Sequence, residues 1–140
     1  MGRILCIDFG QKRVGIAVTD PLRIISNGLT TVHSKDIHTF LDNYLKKETV
    51  DIIVVGQPKQ MNNELSDAWR FIEPFVRKLK KQFPEMRIEL HDERFTSKMA
   101  HQTMLDAGLN KKARQNKELV DTISATIILQ SYMEKLNFGK

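Results

Sequence analysis

The run Asp51-Ile52-Ile53-Val54-Val55-Gly56 constrains this chain most. Its apolar residues are β-branched and follow one another without polar alternation, so a strand made from them has both faces buried. A sheet built around such a strand must be covered on both sides, and Gly56-Gln57-Pro58 closes the run. Upstream, residues 3–9 and 13–19 read as two further strands joined by a short turn at Gly10, Gln11 and Lys12, a hairpin signal. A weaker strand is expected near Leu29–His33, after a loop marked by Pro21, Asn27 and Gly28.

Helical periodicity then alternates with strands. Ser34 is a suitable N-cap for a helix with Ile37, Phe40, Leu41, Tyr44 and Leu45 on one stripe. A second helix carries Leu65, Ala68, Trp69, Ile72, Phe75, Val76 and Leu79, with Pro74 expected to bend or split it. Residues 87–92 form another strand. Thr96 can cap a third helix ending at Gly108. Residues 110–117, polar and basic, form a loop and the one candidate for disorder, and the last helix, over 118–136, is apolar almost all round in its middle and should be largely buried. The order β-β-β-α-β-α-β-α-α makes an α/β fold, a mixed sheet with helices on its faces, and 140 residues without a linker make one domain over 1–140.

Hydrophobic content of 41% and charged content of 28% fit a globular chain. The net charge is +5, from 22 basic and 17 acidic residues, which leans mildly toward a polyanionic partner. The single cysteine, Cys6, excludes an internal disulfide and a cysteine-rich zinc site. With no membrane-length apolar run and no signal-peptide pattern, a cytoplasmic, membrane-free protein is expected.

Acidic residues interrupt this apolar frame at three places. Asp8 ends the first strand, Asp92 and Glu93 end the strand before Arg94, and Asp121 lies in the first turn of the last helix, ahead of Ser124 and Ala125 on the same face. A carboxylate at the end of an apolar strand is costly unless a cation or a set of donors meets it. Functional groups in open sheets gather at the carboxyl ends of strands, so a central first strand brings Asp8 and the Asp92/Glu93 pair to one edge. Three carboxylates in close proximity cannot all stay ionised without a cation. Magnesium takes oxygen ligands and substrate phosphate, and two such ions about 3.5–4 Å apart activate water and stabilise a leaving oxygen. Simpler accounts exist for each acid alone: a turn cap for Asp8, a polar loop with an ion pair for Asp92-Glu93-Arg94, the helix dipole for Asp121. Asp20, before Pro21, reads as a turn residue. The four histidines lack zinc spacing, and His91 beside the acids reads as packed or solvated before it reads as a proton carrier. There is no P-loop pattern. Lys12 and Arg13 in the first turn, Arg94, and Lys111, Lys112, Arg114 and Lys117 before Asp121 are placed for phosphate contact, whereas Arg77, Lys80 and Lys81 read as plain surface.

The spaced set Asp8, Gly10, Arg13, Gly15, Ala17, then Gly56-Gln57-Pro58, Asp92-Glu93-Arg94 with Thr96, and Asp121 in VDTISATIILQSY resembles the YqgF/RuvX family over essentially the whole chain. The resemblance implies a ribonuclease H-like fold, related to the RuvC Holliday-junction resolvases, with a five-stranded mixed sheet flanked by helices. It implies a nuclease dependent on Mg2+ or Mn2+, with two metals. Its expected task is processing of the 5′ end of pre-16S rRNA in ribosome biogenesis, or else junction resolution in DNA. The family's catalytic acids match Asp8, Glu93 and Asp121, and its arginines Arg13 and Arg94, assigned to phosphate contact or to orienting the carboxylates. The residues leave Asp92 or Glu93 open as the metal ligand. Alternation puts Asp92 with Ile88 and Leu90 and Glu93 opposite, and Glu93 is favoured for its reach and the family match. The departures, Gln57 in place of an apolar residue and the lack of glycine near 62–64, touch a loop. Structured RNA is the expected partner ahead of a DNA junction, within a ribosomal precursor particle, for a monomer or a homodimer. The competing readings are a non-catalytic RNA-binding assembly factor and the phosphate-binding hairpin of actin- and hexokinase-like ATPases, which 140 residues supply only singly.

Overall fold

In a computed structural model of the chain, the structure describes residues 2–23, 25–57, 69–92 and 117–138, the side chains of 117–119 and 137–138 excepted. The strands are β1 (Arg3–Phe9), β2 (Arg13–Thr19), β3 (Ser26–His33), β4 (Val50–Gln57) and β5 (Arg87–Asp92). The helices are α1 (Ile37–Lys47), α2 (Trp69–Gln82) and α3 (Lys117–Phe138), and a 3-10 turn at Ser34–Asp36 precedes α1. One sheet of order β3-β2-β1-β4-β5 holds all five strands. β1 is central, antiparallel to β2 and parallel to β4, which is parallel to β5 in turn.

Strand alternation sorts the core into two layers. Leu5, Ile7, Val14, Ile16, Ile53 and Val55 pack against Ile37 and Leu41 of α1 and Ile72, Phe75, Val76 and Leu79 of α2. Ile4, Cys6, Ala17, Ile52 and Val54 pack against Ala125, Ile128, Leu129 and Tyr132 of α3. The last helix is buried or half-buried along most of its described length, as its apolar middle predicts. β4 is sandwiched between the layers, the burial on both faces that its β-branched run requires.

Three local expectations need correction. β3 begins at Ser26, not near Leu29, so Asn27 and Gly28 lie in the strand and pair with Val18 and Ala17. Ser34 does not cap α1: it opens the 3-10 turn, and its hydroxyl donates to the carbonyl of Gln11 at 2.6 Å. α2 is one helix from Trp69 to Gln82, and Pro74 does not split it. Leu65, Ala68, the helix expected between Thr96 and Gly108, and the basic loop up to residue 116 lie outside the described residues.

Candidate active site

β1 places its acid by parity. Ile4, Cys6 and Asp8 alternate onto the α3 face, while Leu5, Ile7 and Phe9 face α1 and α2. Phe9 stacks on Phe75 with ring centroids 4.4 Å apart, which pins the end of the strand with Asp8 turned toward α3. Across the antiparallel pair Asp8 lies opposite Gly15. That glycine is a docking point. A Cβ there would collide with the carbonyl oxygen of Asp121 and come within 2.6 Å of its carbonyl carbon. The missing side chain lets the first turns of α3 sit directly on β2, next to Asp8.

Bonds one and five residues beyond Asp121 hold the helix in this place. The Thr122 and Thr31 hydroxyls are 2.7 Å apart, and the Ser26 hydroxyl donates to the Thr126 carbonyl at 3.0 Å. A Cβ on Gly28 would strike the Thr122 methyl group, so the glycine in β3 serves the same close approach. The structure thus brings Asp8 and Asp121 together although 113 positions separate them in the sequence. Arg13, two residues before Gly15 on the same face of β2, donates from Nε to Oδ2 of Asp121 at 2.7 Å.

The electrostatics follow from this crowding. Burial, and then the negative charge of Asp121, push the Asp8 carboxyl from 3.8 up to about 6. Asp8 and Asp121 are a pair: among the described residues no third His, Cys, Asp or Glu joins them in a group that could hold a metal. Cys6 lies under α3 within the core, and His91 Nε2 is engaged with the Ser131 hydroxyl at 2.9 Å. His91 is buried, edge-on to Tyr132 at 5.8 Å, and desolvation, then Lys135, press its pKa below the usual range against the opposing pull of Asp92. This is the packed histidine of the simpler reading. Tyr132 beside it donates to Glu89, and burial, then that bond, raise the phenol to about 12.

Lys12 is exposed in the β1–β2 turn, where the Gly10 amide donates to the Arg13 carbonyl at 3.0 Å and the Ser34 amide to the Lys12 carbonyl at 3.0 Å. Asp92 ends β5 in register with Gln57, on the side of Ile88, which packs toward α1 and α2, and so across the sheet from Asp8 and Asp121. Glu93, Arg94, Lys111, Lys112 and Arg114 lie outside the described residues, as does the side chain of Lys117. Asp20 is a turn residue: its carboxylate accepts the Ile25 amide at 2.8 Å. Arg77, Lys80 and Lys81 are exposed on α2. What the sequence reading did not single out is Gly15 as the docking point. A glycine inside an otherwise β-branched strand was the available signal.

A five-stranded sheet of order β3-β2-β1-β4-β5 with a central β1, antiparallel to β2 and parallel to β4, is the ribonuclease H-like fold. Two solved structures share this fold at 14% identity. One is the fowlpox virus resolvase with Holliday junction DNA, at a TM-score of 0.59 over 96% of this chain and 98% of that one. The other is Thermus thermophilus RuvC with a Holliday junction substrate, at 0.55 over 95% and 96%. Residues 2–135 match the family model RuvX, described as Holliday junction resolvase, and the chain belongs to that family. A Bacteroides fragilis protein named "Putative pre-16S rRNA nuclease" is 62% identical over 96% of this chain and 97% of its own length. A Bacteroides thetaiotaomicron protein of the same name is 60% identical over 99% and 100%. Membership places the chain among the nucleases, hydrolases of phosphodiester bonds, with nucleic acid as the partner class.

Proposed function

We propose that this chain is a divalent-metal-dependent endonuclease acting on structured RNA, with the 5′ end of pre-16S rRNA in a cytoplasmic ribosomal precursor particle as its substrate. The observation that carries the proposal is the pairing of Asp8 with Asp121 at the carboxyl end of the central strand, with Arg13 beside them. A buried carboxylate whose ionisation is opposed by burial and by the charge of a second carboxylate suits a hard, oxygen-seeking cation such as Mg2+ or Mn2+.

Asp8, Asp121 and Glu93 would hold the metal. Asp92 is the alternative to Glu93, and its position on the α1/α2 side of the sheet weighs against it. When bound, the metals lower the pKa of a water and neutralise charge developing on the phosphate. The chain's own contribution is placement. Gly15 seats α3 so that Asp121 meets Asp8, and the clamped turn holds Lys12 and Arg13 at the same edge for phosphate contact. Arg94, Lys111, Lys112, Arg114 and Lys117 extend that basic track on sequence grounds.

The relatives' name favours RNA. A second reading, cleavage of a DNA four-way junction, is favoured by the family description and by the resolvase fold. Symmetric junction cleavage requires a homodimer; RNA processing is compatible with a monomer. The test is cleavage of labelled pre-16S rRNA and of a four-way junction with Mg2+, Mn2+ or chelator, with Asp8→Asn as control. Metal-dependent RNA cutting lost in the variant is expected. Junction cutting alone would select the second reading, and binding without cutting of either substrate would make the chain an assembly factor.

A further inference from the structure

Asp121 is held twice over, and only one of the two holds is needed to place it. Its backbone is seated by Gly15, and the next residue, Thr122, is tied to Thr31. Its carboxylate is engaged separately by Arg13. The second contact adds little to the position of the helix but occupies Oδ2, one of the two oxygens through which the carboxylate could bind a cation, and draws its charge toward the guanidinium. We propose that Arg13 is a displaceable counter-ion for Asp121: it occupies the carboxylate while the site is empty and cedes it to a divalent cation when a substrate phosphate takes its guanidinium. This rests on the metal-dependent reading given above.

The geometry suits exchange. The Arg13 and Asp121 side chains are 37% and 24% exposed, so the pair is partly solvated and weak enough to break. The backbone of Arg13 is fixed by its pairing with His33 and by the clamped turn before it. Only the side chain has to swing. A guanidinium has five N–H donors in a planar fork, matched to phosphate as well as to carboxylate, and the bond to Asp121 comes from Nε. Cation and Arg13 therefore compete for one carboxylate, and Asp121 and phosphate compete for one guanidinium. By linkage the two exchanges are reciprocal, so metal and nucleic acid must raise each other's affinity.

The test is calorimetric titration of Mn2+ into the full chain without nucleic acid, and again with a saturating phosphorothioate RNA hairpin. Without RNA, Arg13→Gln should bind Mn2+ about threefold or more tightly than wild type, the range expected on removing a competing, partly exposed ion pair. RNA phosphate adds a ligand in both proteins, so with RNA both should tighten, wild type by the larger factor, and the gap between them should close. Lys35→Gln, which removes a like charge from the neighbouring turn, separates competition from the general loss of positive charge and should stay within about twofold of wild type. Arg13→Lys keeps the charge without the planar fork and should fall between, which covers the case of a poorly folded glutamine variant. Equal or weaker Mn2+ binding in both Arg13 variants, with Asp8→Asn still abolishing it, would overturn the counter-ion role and leave the metal site standing. An effect of Lys35→Gln equal to that of Arg13→Gln would overturn it too. Absence of any Asp8-dependent Mn2+ binding in wild type would bring down the metal reading itself.

Discussion

Gly15→Ala should damage the site by moving a helix and not by touching an acid. A Cβ at position 15 would lie 2.6 Å from the carbonyl carbon of Asp121, against an ordinary contact distance of 3.4 Å or more, and would collide with the carbonyl oxygen outright. The obstacle is backbone, which cannot rotate away. α3 must therefore retreat by about 0.8 Å or more at this point, taking Asp121 away from Asp8 and from its bond with Arg13. Overpacking of this kind costs about 1–3 kcal/mol, and each kcal/mol lowers the melting temperature of a domain this size by roughly 2–5 °C. Gly28→Ala makes the comparison. Its Cβ would meet the Thr122 methyl group and not the backbone of Asp121, so it should cost stability in the same range, about 1–3 kcal/mol, with less displacement of the acid. The assays are urea unfolding of both variants and metal-dependent cleavage under conditions where both are folded. A shift of a reacting group by 1 Å can cost about 100-fold in rate, so Gly15→Ala should lose cleavage out of proportion to its stability. Wild-type stability and cleavage in Gly15→Ala would show that the approach of α3 to β2 does not set the site.

Three further outcomes are expected. The Asp8 carboxyl is raised from 3.8 to about 6, so between those pH values the folded chain binds more protons than the unfolded one. In chelator, stability should therefore fall as pH rises from about 4 to 6 and stay low above, by up to about 3 kcal/mol. Asp8→Asn should remove that slope in denaturant titrations across the range; an unchanged slope would refute the assignment to Asp8. Tyr132→Phe leaves the partly buried Glu89 without its phenol donor and should cost about 1–3 kcal/mol by urea unfolding, and a neutral result would show that Arg87 alone satisfies Glu89. Thr19→Val orphans the buried Ile4 amide, which donates to the Thr19 hydroxyl at 2.9 Å where the β1–β4 register shifts, and should cost about 1–3 kcal/mol; unchanged unfolding would mean that water replaces the hydroxyl.

The parts of the fold legible in the sequence are those where one residue's surroundings are set by its near neighbours. The β-branched run 52–55 could only be a strand covered twice, and the stripe Ile37, Phe40, Leu41, Tyr44, Leu45 could only be one helical face. Where local preference and tertiary demand disagree, the sequence misleads. Asn27 and Gly28 have turn propensity, yet Gly28 is in a strand because Thr122 crosses above it. Ser34 has capping propensity, yet its hydroxyl is spent on Gln11, 23 residues away. Of the site, the acids stood out because each breaks an apolar pattern. The bond between Arg13 and Asp121 spans 108 residues and leaves no local trace.

Parity accounts for why this sheet can host a site at all. A strand buried on both faces has no room for polar chemistry along its length, so function is confined to its ends, and the end residue belongs to whichever face its number dictates. On β1 the even positions 4, 6 and 8 run beneath α3, and the first residue past the covered core is Asp8. On β2 the odd positions 13, 15 and 17 share that face, which sets Arg13 and Gly15 beside it. On β5 the same face takes Glu89 and His91, whose bonds to Tyr132 and Ser131 run to α3, and excludes Asp92. A one-residue slip of β1 against β2 would turn Asp8 toward Phe75 and an isoleucine or phenylalanine toward Asp121. The stacking of Phe9 on Phe75 and the glycine at 15 both oppose that slip, one from each side of the sheet. The register that closes the core is therefore the register that brings the two carboxylates together, and selection for either would preserve the other.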